Sequence, residues 1–134
     1  MKLITQDQRE RMLANGKANA DRCGGIDFKP VVKLFAPDFN ATWLLTELDP
    51  ENEDMAFGLC DLGEPELGWV SLPDLADLRG PFGLPIERDR HFGGDYPLSV
   101  YARAARRTGC IVTDDRCLEG AKAHLDAERQ EAVA

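Results

Sequence analysis

Between Val31 and Val70 the chain carries four runs of β-forming residues separated only by short polar turns, and this arrangement limits its fold more than any other feature. The runs are residues 31–35, 42–48, 55–62 and 67–70, with Pro37-Asp38-Phe39-Asn40 and Asp49-Pro50-Glu51-Asn52-Glu53-Asp54 as the first two turns. Connections this short leave no room for a crossover helix, so consecutive strands must pair antiparallel as a meander. Such a sheet can bury one face and leave the other wet. The alternation along it is too imperfect to assign every side chain.

Helical signals flank the meander. Thr5 with Gln8 makes a capping-box pattern ahead of Met12 and Leu13, which predicts a short first helix. Residues 15–25, with Asn15, Gly16, Asn19 and Gly24-Gly25, read as a loop because helix propensity is poor and no apolar period continues. Ser71-Leu72-Pro73-Asp74 starts a short helix that ends at Arg79-Gly80-Pro81. Residues 82–94 are broken by Gly and Pro and are expected to cross the surface with their apolar side chains tucked in. Within them, residues 86–92 form a candidate edge strand. Residues 97–107 read as a helix closed by Gly109, and Thr113-Asp114-Asp115 caps a last helix through Cys117, Leu118, Ala121 and Leu125. Residues 129–134 are small or polar and are expected to fray. The expected class is α+β: an antiparallel meander of four to five strands, an N-terminal helix, a short helix after the meander and two C-terminal helices.

A length of 134 residues without an internal linker points to a single domain, 1–134, and a hydrophobic content of 43% is enough for one core. No apolar stretch is long enough for a signal peptide or a membrane span, which sets the expectation of a cytoplasmic protein. Cys23, Cys60, Cys110 and Cys117 have neither zinc-knuckle nor disulfide-scaffold spacing and are expected to be free thiols.

Charge is uneven along the chain. Residues 30–100 hold fourteen Asp and Glu against four Lys and Arg, whereas the flanking segments are nearly balanced, so the net charge of −8 arises in the middle. Glu47, Asp49, Glu51, Glu53, Asp54, Asp61, Glu64 and Glu66 follow one another with no intervening Lys or Arg. A face built from them would repel a phosphate backbone, so direct nucleic-acid binding through it is not expected.

The blocks Pro65-Glu66-Leu67-Gly68-Trp69-Val70-Ser71-Leu72 and Gly83-Leu84-Pro85-Ile86-Glu87-Arg88-Asp89-Arg90-His91-Phe92, with Trp43 and the Met1-Lys2-Leu3-Ile4-Thr5 start, carry a resemblance. Together they resemble the bacterial domain-of-unknown-function family 2958. The resemblance spans roughly residues 1–100, makes 101–134 a helical C-terminal extension, and implies a setting on bacterial mobile elements. It implies no active site.

Glu87-Arg88-Asp89-Arg90-His91 is the densest set of reactive groups. In a strand, Glu87, Asp89 and His91 would share one face, opposite Arg88 and Arg90. That face could transfer protons or hold a divalent cation, and a solvated edge strand of alternating charge is the competing account. Gly68 beside Trp69 suggests a Trp packed closely into the sheet. The leading expectation is a non-enzymatic accessory protein that binds a protein partner through its acidic surface, with Arg79, Arg88, Glu64, Glu66, Asp49 and Glu51 as binding residues, and without cofactor or metal. The alternative is a small metal-dependent hydrolase or nuclease using Glu87, Asp89 and His91. A third account is self-association through an exposed sheet edge.

Overall fold

A computed structural model of the chain describes residues 3–22 and 25–133. Its elements follow in the order α1 (Gln6–Asp21), β1 (Val32–Phe35), β2 (Thr42–Asp49), β3 (Asn52–Asp61), β4 (Pro65–Ser71), α2 (Leu72–Asp77), β5 (Glu87–Arg88), α3 (Leu98–Thr108) and α4 (Asp115–Val133). The five strands form one antiparallel sheet in the order β4-β3-β2-β1-β5. This is the expected α+β meander, with the fifth strand returning to the far edge.

The sheet is covered on both faces, which corrects the expectation of one wet face. Trp43, Leu45, Leu48 and Ala56 point into a core completed by Met12 of α1 and by Leu72 and Leu75 of α2. Leu44 and Leu59 point the other way and pack with Val100, Tyr101, Ala104 and Ala105 of α3, over which α4 lays Leu118 and Ala121. Burying a large apolar side chain contributes about 1.5–3 kcal/mol, so these two layers supply most of the cohesion.

Local signals set the helix ends. The Thr5 hydroxyl accepts from Gln8 N while Gln8 Oε1 accepts from Thr5 N. Ser71 caps α2, and Asp114 accepts from Cys117 N at the start of α4. Gly109 closes α3 in the left-handed conformation at φ 88°. Pro97 gives α3 no side-chain cap, and Asp27 supplies one from a distance by accepting from both the backbone N and the hydroxyl of Ser99.

The main departure is α1, which continues through residues 15–21 where the sequence reads as a loop. The reason is tertiary. β1 begins opposite Leu45, and beyond that point its side of β2 has no strand partner. The end of α1 takes its place: Asn15 Nδ2 donates to Thr46 O at 2.9 Å, and Gly16 lies so close that a Cβ there would stand 1.8 Å from Leu48 O. Residues of poor propensity are the ones that fit this contact. At the C-terminus α4 runs on to Val133, past the expected fraying point.

The Gly80 to Leu84 loop also differs from expectation. It is a tight hairpin closed by Gly80 N to Leu84 O and Gly83 N to Gly80 O, with Gly83 at φ 80°. Asp38 Oδ2 accepts from Phe82 N and Leu84 N, holding the loop from inside. The turn directs Phe82, 84% exposed, and Leu84 outward, whereas Ile86 and Phe92 further along are tucked against the two cores as expected.

Candidate functional site

An irregularity in β2 shapes a hollow beside the end of α1. Leu45 stands opposite Gly58 and Glu47 opposite Phe57, so Thr46 is an extra residue, a β-bulge. Glu47 therefore joins Phe57 and Trp69 in one row across β2, β3 and β4, on the α3 side of the sheet. The Phe57 and Trp69 rings meet edge to face, with centroids 5.3 Å apart. Trp69 is 49% exposed, and nothing lies within 4 Å of a Cβ built on Gly68. The expectation of a Trp packed into the core beside Gly68 is thus corrected: the ring forms a wall.

Together with Asn19 and Ala20 of α1, Asp49 at the end of β2 and Glu51 in the turn to β3, this row lines an open cleft of about 570 Å³. A smaller adjoining hollow of about 230 Å³ shares Glu47 and Phe57 and reaches Leu67 and Leu98. Glu47 is 7% exposed. Its Oε1 accepts from Asn19 Nδ2 at 2.6 Å, and Asn19 Oδ1 in turn accepts from Ile26 N at 2.9 Å. Burial holds the Glu47 carboxyl above its ordinary value, and the Asn19 bond offsets part of that rise. Among the described residues no Lys, Arg or His forms an ion pair with it.

The candidate residues fall in separate places. Asp49 and Glu51 rim the cleft, with Asp49 Oδ1 accepting from Glu51 N. Glu64 and Glu66 are exposed at the other end of the sheet, at the start of β4. The eight clustered carboxylates therefore share no face, and two are interior: Glu47, and Asp61, which accepts from Gly63 N and Ile111 N and ties β3 to the segment after α3. Arg79 donates to Ala76 O and Leu78 O at the end of α2. Glu87 and Arg88 pair with Phe35 and Leu34 of β1. Asp89 N still bonds to Lys33 O and its carboxylate stands 3.7 Å from Lys33 Nζ, but the chain then turns, and Asp89 Oδ1 accepts from His91 N. Strand alternation thus stops before His91, contrary to the expected shared face. Among the described residues no three His, Cys, Asp or Glu side chains are grouped closely enough to hold a metal ion.

Sequence reasoning missed Asn19, Phe57 and Trp69 as site residues and treated Glu47 only as one of a charge run. The available signals were a lone carboxylate inside the apolar run Trp43-Leu44-Leu45-Thr46-Glu47-Leu48 and the helical spacing of Asn15 and Asn19.

A family model described as "Protein of unknown function (DUF2958)" matches residues 3–112. The chain belongs to this family. The DUF2958 match takes in the cleft, every strand and α3, and it stops short of α4. No curated relative and no solved structure matches the chain. Among the described residues no helix is long and apolar enough to cross a membrane.

Proposed function

We propose that this chain is a non-enzymatic accessory protein that binds a protein partner, and that its acidic, aromatic cleft receives a basic side chain of that partner. The observation that carries this reading is Glu47, a nearly buried carboxylate whose bond comes from a neutral amide rather than a cation. A buried charge lacking an opposite charge is costly, and an incoming ammonium or guanidinium group would supply one. Trp69 and Phe57 offer ring faces that attract the same groups, and Asp49 and Glu51 add attraction at the rim. The resemblance suggests a bacterial mobile element as the setting, and the same acidity argues against a nucleic-acid ligand at this face.

The test is a titration with the amides of Nα-acetyl-lysine and Nα-acetyl-arginine, followed by the fluorescence of Trp69, the exposed one of the two tryptophans. Saturable binding that Glu47→Gln weakens in this titration, and that Trp69→Leu, which lacks the reporter, weakens when followed by calorimetry, supports the reading. Equal titration curves for the wild type and Glu47→Gln sink it.

A further inference from the structure

The two edges of the sheet are unequal. β5 is an edge of two residues, too short to template another strand, whereas β4 has seven. Among the described residues the backbone of β4 makes its ladder with β3 and no other backbone hydrogen bond. Exposed edges are ordinarily blunted by charge, proline or brevity. Here Pro65 and Glu66 guard the start, but beyond them Leu67 is 45% and Trp69 49% exposed.

The two faces at this edge differ in chemistry. Leu67 and Trp69 project on the α3 side, since they stand opposite Leu59 and Phe57. Glu66 and Val70 project on the other side, opposite Cys60 and Ala56, and exposed Glu64 lies just before the strand. No Lys or Arg occurs between Lys33 and Arg79, so β2, β3 and β4 carry no cation at all.

We infer that β4 receives an extended segment of the partner as a sixth strand, and that this segment alternates apolar with basic residues. The inference rests on the reading of the chain as a partner-binding module, but it uses backbone and side chains other than Glu47. Main-chain bonds to the free edge would give affinity, and side chains at alternate positions would give selectivity. Apolar residues of the added strand would lie beside Leu67 and Trp69, and the basic ones between them would lie beside Glu66 at cross-strand distance. Charge complementarity decides the occupant: a second copy of this chain brings a further net charge of −8 against the same surface, whereas a basic segment is attracted.

The test uses the full chain with short acetylated peptides: one of alternating Val and Lys, one of the same composition with Val and Lys in separate blocks, and one of alternating Val and Glu. Binding is measured by calorimetry and amide exchange, and the mass of the free protein by light scattering. The expected result is saturable uptake of the alternating Val–Lys peptide with new protection at residues 65–71, and binding of the blocked peptide weaker by about tenfold. Glu66→Lys, an exposed change that leaves the core alone, should weaken Val–Lys binding by about fivefold and let the Val–Glu peptide bind. Equal binding of the alternating and blocked peptides, protection outside β4, or self-dimerisation through β4 without peptide uptake would each overturn the inference. Loss of lysine-amide binding in the cleft with β4 protection retained would remove the cleft reading alone. The converse pattern would remove the strand-addition inference alone.

Discussion

Asn19 Nδ2 lies 2.6 Å from Glu47 Oε1, so the last turns of α1 and the middle of β2 are joined by an amide whose orientation is fixed, because Asn19 Oδ1 also accepts from Ile26 N. Replacing Asn19 with Ala removes a bond to a buried charge and leaves the Ile26 N–H without its acceptor. The expected loss is about 1–3 kcal/mol at neutral pH, measured by urea denaturation.

The Glu47 carboxyl sets a pH dependence whose sign is fixed by its raised value. In the window between its unfolded and folded values the native state holds more protons than the unfolded chain, so stability declines as pH rises through that window. Glu47→Gln, which can keep the Asn19 contact, should remove this component. Its stability relative to the wild type should therefore improve as pH rises, and a pH series of thermal melts checks this. Ligand binding carries the opposite sign, since a cation favours the ionised carboxylate: wild-type affinity for lysine amide should rise over the same window.

Gly16→Ala should destabilise the fold although Ala is the better helix former. The added Cβ would stand 1.8 Å from the Leu48 carbonyl oxygen, a backbone atom that cannot rotate away. The overpacking cost of about 1–3 kcal/mol exceeds the propensity gain of at most about 1 kcal/mol. Chemical denaturation should show a net loss, and the displaced helix end should also weaken lysine-amide binding in the cleft.

The thiols should separate by reactivity. Burial, aided by the charge of Glu66, pushes Cys60 up to about 11, whereas Cys110 is exposed. Because the thiolate is the reacting form, iodoacetamide near neutral pH should modify Cys110 at least about tenfold faster than Cys60, as read by peptide mass spectrometry. Glu66→Gln should speed the reaction of Cys60. Cys23 lies outside the described residues.

Asp38→Ala should loosen the Phe82 hairpin without disturbing the cleft. The carboxylate accepts from Phe82 N and Leu84 N, while its Oδ1 is buried without a hydrogen bond. A stability loss of about 1 kcal/mol and faster amide exchange at residues 82 and 84 are expected. Unchanged exchange there would mean that the turn holds itself.

The meander, the caps of α1, α2 and α4 and the Gly109 stop were all legible, because each depends on a few neighbouring residues. The second half of α1 was not, because Asn15, Gly16 and Asn19 are helical through their contacts with β2 and local propensity argues the other way. Double coverage of the sheet was hidden for a related reason: α3 and α4 show where their apolar stripes are, but not which surface those stripes meet. Asp49 and Glu51 were singled out on charge and do rim the cleft. Glu47 was read only as one of a charge run, and its place was not legible because the extra residue at Thr46 shows only in the pairing with β3; Trp69 was read as core on the strength of Gly68, whose vacant space nothing fills.

That pairing gives strand length a role alongside residue identity. β2 is two stretches of regular alternation spliced out of phase at Thr46. Deleting Thr46 would join them into a single phase and keep Leu44, Glu47 and Leu48 on the sides they now occupy, at the cost of the Asn15 bond to Thr46 O. Related chains one residue shorter at this point would be expected to retain the Glu47, Phe57 and Trp69 row. Regular pairing through Thr46, with that residue opposite Phe57, would instead turn the carboxylate toward the side of Trp43 and Leu45, erasing the site without changing a single one of its residues.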